Sequence, residues 1–263
     1  MPPASEPSFF ALPGGQLEYA WTGAAMPGPR ALVFLHHALG SVTTWRDFPQ
    51  RLADATGLPA FSYSRLGHGK SDPADPNRAL DYLDHEAFDV LPRVLDMAGI
   101  AEPILVGHSD GATIALLHAS MPASPARAIV VEAPHIFVEE RTVAGIEAAV
   151  IEYQTTKLRE RLMRHHGANT DDVFKAWADT WRKPTFRAWN CKHRLPAIRC
   201  PTLLVQGIDD EYGTPLQVER IRDQVSGPVE MALIPGCGHF PHQEKVDETL
   251  TVMARFIADL PRA

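Results

Sequence analysis

The sequence predicts an α/β fold in which an eight-stranded, mostly parallel, doubly wound sheet carries a helical insertion. Short apolar runs alternate along most of the chain with amphipathic stretches of helical periodicity, which is typical of a parallel sheet covered on both faces. The alternation stops between residues 135 and 195, where Arg, Glu and aromatic residues continue without a strand-like run. This gap predicts a helical segment inserted into the sheet domain.

The predicted strands are short runs, rich in β-branched or aromatic residues and bounded by turn-forming residues. In chain order they are SFFAL, QLEYAW, ALVFLH, PAFSYS, PILVGH, AIVVEA, TLLVQG and VEMALIP. Helical periodicity predicts helices near 45–56, 85–98, 112–120, 216–225 and 246–260.

The core domain is predicted to comprise residues 1–134 and 196–263, and residues 135–195 are predicted to form a helical cap. The insertion follows AIVVEA and precedes TLLVQG, so it can cover the carboxyl ends of the strands, where open α/β sheets bind their ligands. The proline-rich opening of the chain is the one part expected to be disordered.

Composition and charge exclude several classes of protein. Apolar residues make up 45% of the chain and charged residues 22%, which is ordinary for a globular protein. The formal net charge of -7 disfavours nucleic acids and anionic lipid surfaces as partners. The chain has no run of about 18 apolar residues that would predict a membrane span, and Cys191, Cys200 and Cys237 lack the spacing of a disulfide framework. We therefore expect a cytoplasmic monomer or homodimer that acts on a small molecule.

A candidate nucleophile lies in the pentapeptide GHSDG, where Gly107 and Gly111 flank Ser109 in the pattern G-x-S-x-G. The pentapeptide follows the strand-like PILV and precedes the helix-like ATIALLHA, which is the order that a nucleophile elbow needs. Glycines on both sides let strand and helix approach closely while the serine takes a strained backbone conformation. The helix that follows directs N–H groups and its positive dipole end toward charge that develops at Ser109.

A serine hydroxyl needs a histidine to take its proton and a carboxylate to orient that histidine. His239 follows the last predicted strand, on a loop at the expected edge of the sheet, and His242 is the alternative. The acid is expected after TLLVQG, where the distance from the strand end favours Asp210 over its neighbours Asp209 and Glu211. Asp210 and His239 are thus the predicted partners of the serine.

Acyl transfer develops negative charge on a carbonyl oxygen, which two N–H donors can stabilise. One donor is expected from the backbone of Asp110, directly after the serine. The other is expected from the loop after ALVFLH, where the turn HHALG ends in glycine and the N–H of Ala38 is the predicted donor.

Five segments, LHHALGS, YSRLGHGKS, GHSDG, LLVQGIDDEYG and CGHFPH, resemble in sequence and order the motifs of the α/β-hydrolase fold superfamily across nearly the whole chain. The resemblance implies a sheet with a helical cap and the triad roles of the serine, aspartate and histidine named above, whose chain order is that of the superfamily. Esterase-like and lactonase-like members match better than proline iminopeptidases, whose loop is glycine-rich. Two positions depart from the usual motifs: His37 stands where many members have glycine, and Ser64 replaces an aspartate, which leaves Arg65 available for another contact.

The substrate pocket is predicted from residues beside these motifs and in the cap. Aromatic cap side chains that face the site would favour an apolar or aromatic acyl or alcohol group. No metal ion or other cofactor is expected, because no zinc-binding motif, phosphate loop or dinucleotide fingerprint is present. The predicted substrate-binding residues are His37, His108, His135, Phe137, Trp177 and Trp181.

We therefore expect a serine hydrolase that cleaves a small carboxylic ester or lactone through an acyl-enzyme. Two alternatives stay open. The same three residues could cleave a carbon–carbon bond, as a hydrolase or lyase, or the chain could be a receptor that keeps the pocket without turnover.

Overall fold

The computed structural model describes residues 8–261, and all the predicted strands are present in one sheet. The predicted disordered opening lies outside the described residues. The strands are β1 (Ser8–Leu12), β2 (Gly15–Thr22), β3 (Arg30–Leu35), β4 (Ala60–Tyr63), β5 (Glu102–His108), β6 (Ala128–Glu132), β7 (Thr202–Gly207) and β8 (Val229–Ile234). Their order across the sheet is β1-β2-β4-β3-β5-β6-β7-β8.

The sheet is mostly parallel, as the sequence predicts. Strand β2 runs antiparallel to both of its neighbours, β1 and β4, and all the other neighbouring strands pair in parallel. Because parallel strands end at the same edge of a sheet, the loops after β3, β5, β7 and β8 meet there. These are the loops that carry the candidate catalytic residues.

Helices connect the strands and cover both faces of the sheet. The α-helices are α1 (Phe48–Thr56), α2 (Tyr82–His85), α3 (Leu91–Met97), α4 (Asp110–Ala119), α5 (Glu140–Thr155), α6 (Leu158–His166), α7 (Thr170–Arg182), α8 (Leu216–Gln224), α9 (Pro241–Glu244) and α10 (Val246–Ala258). The shorter helical turns are a π-helical turn at Glu86–Val90 and 3₁₀ turns at Val42–Trp45, Gly167–Asn169, Pro184–Phe186 and Lys192–Ala197. Among the described residues, none of the helices combines the length and the apolar character that a membrane span requires.

Two predicted helices differ in their bounds from the helices observed. The helix predicted near 45–56 is interrupted because Arg46 has a φ of 55°, outside the helical region, and Pro49 then lies in the first turn of α1. The helix predicted near 85–98 starts earlier, at Tyr82, and passes through the π-helical turn before α3. Helix α9 has no predicted counterpart because its four residues are too few to show a periodicity.

The segment predicted as the cap, residues 135–195, holds α5, α6 and α7 between β6 and β7. Near its two ends, Phe137 and Asn190 pair in an isolated antiparallel bridge. His166, at the end of α6, donates its Nε2–H to the carbonyl oxygen of Leu39 at 3.0 Å, which joins the cap to the loop after β3. The limits of the cap stay a prediction.

The core occupies both faces of the sheet because successive residues of a strand point to opposite faces. On β3, Val33 packs in an apolar cluster with α3, α4 and α8, whereas Leu32 and Phe34 pack in a second cluster with α1 and α10. The first cluster also contains Trp177 and Trp181 of α7. Helix α7 of the predicted cap therefore belongs to the same apolar cluster as α4, the helix that follows the candidate nucleophile.

Candidate active site

Ser109 occupies a tight turn between β5 and α4. Its backbone, with φ 55° and ψ -115°, adopts a conformation that residues with a side chain rarely take. A Cβ atom on Gly107 would clash with the carbonyl oxygen of Gly111, and a Cβ atom on Gly111 would clash with that of Leu35. Both flanking positions therefore accept only glycine, in agreement with the argument from the G-x-S-x-G motif.

His239 and Asp210 form a buried pair in the loops after β8 and β7. The Nδ1–H of His239 donates to Asp210 Oδ2 at 2.9 Å, with Oδ1 at 3.0 Å. The backbone N–H groups of Tyr212 and Gly213 donate to Oδ1 at 2.7 and 3.1 Å, and the side-chain amide of Gln206 donates to Oδ2 at 2.8 Å. Asp210 is fully buried, so these donors replace the water that would otherwise solvate its charge.

The two partners shift each other's pKa in opposite directions. Burial acts to raise the pKa of Asp210, but His239 and the N–H of Tyr212 outweigh burial and hold this pKa well below its usual range. Burial acts to lower the pKa of His239, but the Asp210 carboxylate outweighs burial and raises this pKa above its ordinary value of 6.5. The ionised carboxylate keeps a proton on Nδ1 and leaves Nε2 free to accept one.

The alternatives that the sequence left open have other places in the structure. Asp209 and Glu211 are exposed, and the nearest contact of Glu211 is with the backbone N–H of His239 at 3.3 Å. His242 is buried and donates its Nδ1–H to Glu132 Oε1, at the end of β6, at 2.9 Å. The geometry therefore favours the buried pair described above.

Ser109 and His239 line one small cavity, to which α5 and α7 also contribute side chains. Its volume is about 60 Å³ for the centre of a water molecule, so it admits a small group. Within the described chain the two side chains form no hydrogen bond to each other, and such bonds often close only in the complex with substrate. The lining residues are His37, Ala38, Leu39, Ser109, Asp110, His135, Thr142, Ile146, Trp177, Trp181, Tyr212, His239 and Phe240.

Two of the predicted substrate-binding residues do not line this cavity: His108 and Phe137. His108, the last residue of β5, is fully buried on the face of the sheet that carries Trp45, and the chain turns at the next residue. Its Nε2–H donates to the carbonyl oxygen of His239 at 2.8 Å. Phe137 is half-buried in its bridge with Asn190. The other four predicted residues, His37, His135, Trp177 and Trp181, do line the cavity.

Five lining residues have no counterpart in the sequence reasoning. Tyr212 and Phe240 lie within two residues of the predicted acid and base, so sequence position alone was a usable signal. Thr142 and Ile146 lie one turn apart on α5, and only the fold shows that this face of the helix meets the cavity. The fifth, Leu39, follows the predicted oxyanion donor.

The backbone N–H groups of Ala38 and Asp110 lie at the cavity and have no acceptor within the described residues. In the loop after β3, the N–H of Leu39 donates to Nδ1 of His37 at 3.3 Å, and the N–H of Gly40 donates to the His37 carbonyl oxygen at 2.9 Å. Asp110 is the first residue of α4, where N–H groups lack a partner inside the helix. Both groups are thus available to an oxygen atom held beside Ser109.

The contact expected for Arg65 is an ion pair behind this site. Nη1 of Arg65 lies 3.5 Å from Oδ2 of Asp110. The hydroxyl of Tyr82 donates to the same oxygen at 3.0 Å and accepts from Nε1–H of Trp181 at 3.0 Å. A chain of hydrogen bonds therefore runs from the cap helix to the residue that follows Ser109.

The histidines around the cavity are engaged in other hydrogen bonds. The Nε2–H of His68 donates to the carbonyl oxygen of Ala38 at 2.9 Å, and that of His166 donates to Leu39 in the same loop. Within residues 8–261, no three His, Cys, Asp or Glu side chains are grouped so as to hold a metal ion.

Comparison with known proteins agrees with this fold and geometry. Residues 32–252 match the Alpha/beta hydrolase family, and the chain belongs to that family. It is similar to the serine hydrolase BPHL of Mus musculus, with 26% identity over 255 residues that cover 94% of this chain and 84% of the relative. It is also similar to the sn-1-specific diacylglycerol lipase ABHD11 of Mus musculus, with 23% identity over 87% of this chain and 81% of the relative.

Solved structures show the same fold. The enol-lactonase from Burkholderia xenovorans superimposes with a TM-score of 0.73 at 17% identity, over 96% of this chain and all of that one. The α/β-hydrolase fold and the family resemblance that the sequence predicts are thereby confirmed.

Proposed function

We propose that this chain is a serine hydrolase that cleaves a small carboxylic ester or lactone through an acyl-enzyme, without a cofactor. The observation that carries the proposal is the meeting of three features at one cavity. These are Ser109 on its strained turn, His239 held by Asp210, and the free N–H groups of Ala38 and Asp110. Together they supply the nucleophile, the base and the oxyanion donors of acyl transfer.

In the proposed reaction, Ser109 Oγ attacks the carbonyl carbon of the substrate while His239 Nε2 takes the hydroxyl proton. The former carbonyl oxygen then carries negative charge and accepts hydrogen bonds from Ala38 and Asp110, each worth about 3 kcal/mol of barrier. His239 returns the proton to the leaving alcohol, and the acyl group stays on Ser109. A water molecule that gives its proton to the same histidine releases the acid.

The size and lining of the cavity support a short, apolar acyl group. Trp177, Trp181 and Ile146 supply apolar surface, and the volume of about 60 Å³ leaves little room for a long chain. Two of the similar proteins are a diacylglycerol lipase and an enol-lactonase, which is consistent with an ester or lactone as substrate. The proposed partner is therefore a small molecule.

The test is a hydrolysis screen of nitrophenyl esters of increasing acyl length and of simple γ- and δ-lactones. We expect rates to fall steeply with chain length, and Ser109→Ala to lose about a thousandfold or more in kcat/KM. Ser124→Ala is the matched serine control, because this residue lies outside the cavity. A fluorophosphonate probe should add one mass increment to the peptide that contains Ser109. Folded wild-type protein that neither turns over any member of the panel nor takes up the probe would contradict the proposal.

The same assay, with a vinylogous diketone added to the panel, decides between the alternatives. Cleavage of a vinylogous diketone at a rate above that of every ester would favour carbon–carbon bond hydrolysis by the same residues. Binding of an ester or lactone without multiple turnover would favour a receptor.

A further inference from the structure

We infer that Arg65 is a positioning residue for the oxyanion hole. Its guanidinium group contacts the peptide group that carries one backbone donor and the side chain of the residue that carries the other. The inference rests on the proposed function, since it concerns the N–H groups of Ala38 and Asp110. Arg65 lies after β4 and is 3% exposed. It does not line the catalytic cavity, so it acts through the two donors and touches no reacting atom.

The guanidinium fixes the peptide group that carries the first donor. Nη2 of Arg65 donates to the carbonyl oxygen of His37 at 3.1 Å, and that oxygen also accepts from Nδ1–H of His36 at 2.7 Å and from the N–H of Gly40 at 2.9 Å. The His37 carbonyl and the Ala38 N–H belong to one planar trans peptide and point in opposite directions. Holding the carbonyl toward Arg65 therefore directs the N–H away from it, and Ala38 lines the cavity.

The same guanidinium fixes the residue that carries the second donor. Nη1 of Arg65 lies 3.5 Å from Oδ2 of Asp110, and the two side chains are 3% and 2% exposed. The hydroxyl of Tyr82 donates to that oxygen from another direction, so the carboxylate is held on two sides. Because Asp110 directly follows Ser109, a shift of its side chain would move the second donor and the nucleophile together.

The contacts require the shape of an arginine. Its planar fork presents several N–H groups in fixed directions, whereas lysine is a point charge on a flexible chain. Besides the Nη contacts described above, the Nε–H of Arg65 donates to Nε2 of His36 and its Nη2 donates to the carbonyl oxygen of His36, both at 3.4 Å. Burial, and then the charge of Arg65, lowers the pKa of His36, so this ring stays neutral and keeps its Nδ1–H on the His37 carbonyl. Removing the guanidinium would loosen that carbonyl and leave the buried Asp110 with fewer donors.

A second cavity gives access to this network from outside the catalytic site. Arg65 lines it, and its volume is about 560 Å³ for the centre of a water molecule. A shortened side chain at this position would therefore leave a space that free guanidinium ions can enter. Arg93 lines the same cavity, is exposed and makes no side-chain hydrogen bond or ion pair within the described residues, so it provides a matched control.

The experiment compares Arg65→Ala, Arg65→Lys and Arg93→Ala with the wild type. It measures kcat and KM for the best ester, the rate at which a fluorophosphonate labels Ser109, and the amide ¹H–¹⁵N signals of Ala38 and Asp110. For Arg65→Ala we expect kcat and labelling to fall about a hundredfold with little change in KM, because the donors act mainly in the transition state. Millimolar guanidinium chloride should raise the kcat and the labelling rate of Arg65→Ala about tenfold and should leave those of Arg93→Ala unchanged. Arg65→Lys should keep the charge but recover only part of the rate.

If the wild type hydrolyses esters, two results would overturn the inference. One is a kcat of both Arg65 variants within about twofold of the wild type. The other is a loss that guanidinium does not reverse while both amide signals stay unchanged. The amide signals need no turnover, so they separate this inference from the proposed function. If the wild type hydrolyses no ester, the amide signals of Ala38 and Asp110 still test the positioning role. Signals that shift in Arg65→Ala and return with guanidinium support that role, and signals that do not shift overturn it. If Arg65→Ala does not fold, the signals of Arg65→Lys decide.

Discussion

His166 joins α6 to the loops after β3 and β4 through both ring nitrogens, so its protonation should destabilise the fold. Its Nε2–H donates to the carbonyl oxygen of Leu39 at 3.0 Å, and its Nδ1 accepts from the N–H of Gly69 at 2.9 Å. Burial lowers its pKa from 6.5 to about 4. A proton on Nδ1 would point toward the N–H of Gly69, so that two donors would face each other without an acceptor. The folded protein therefore binds this proton less readily than the unfolded chain does.

The sign and size of the effect follow from this difference in pKa. The unfolded chain takes up the proton near pH 6.5, so the contribution of His166 is complete above that pH and declines as the pH falls toward 4. Between about pH 7.5 and pH 5, the linkage relation gives a loss of about 2 kcal/mol in the free energy of unfolding from this one group. Other buried histidines add to the total, so the contribution has to be isolated by difference.

The assay is urea unfolding of the wild type and His166→Asn at the two pH values. Asparagine keeps an acceptor for the N–H of Gly69 but does not titrate, so the variant should lose about 2 kcal/mol less than the wild type on acidification. His85→Asn, on an exposed side chain, is the control and should leave the difference nearly unchanged. An equal loss in the wild type and His166→Asn would refute the reasoning.

Three further outcomes are expected. Asp210→Asn should lower kcat/KM by about ten thousandfold, because an amide does not stabilise the protonated imidazole. The control Asp209→Asn should leave kcat/KM unchanged, and equal losses in the two variants would contradict the assignment of the acid. Because the base must be neutral and the pKa of His239 is raised, kcat/KM should fall on the acid side with a midpoint above pH 6.5, and a midpoint well below that value would argue against this base. Gly111→Ala should destabilise the fold by about 3 kcal/mol or prevent folding, since its Cβ meets a carbonyl oxygen of β3. In Gly28→Ala the Cβ makes only an ordinary contact with the carbonyl oxygen of Met26 at 3.9 Å, so this control should leave the melting temperature unchanged.

The sheet could be predicted from the sequence because its signals are local. Each strand is a short apolar run, and the pattern alternates with helical periodicity, so the eight strands and the mostly parallel arrangement are confirmed. Helix bounds were less predictable, since the break at Arg46 depends on a backbone angle and not on apolar spacing. The limits of the cap and the roles of the site residues stay predictions.

The meeting of Ser109, Asp210 and His239 could also be expected, because each follows a parallel strand and such strands end at one edge. The contacts that hold these residues in place could not. Arg65 and Asp110 are 45 residues apart, and His166 and Gly69 are 97 apart. No periodicity links such positions, since the approach of the β4 loop and the cap depends on the packing of whole helices. The sequence therefore predicts which groups carry the chemistry, and the structure adds the residues that contact those groups from distant parts of the chain.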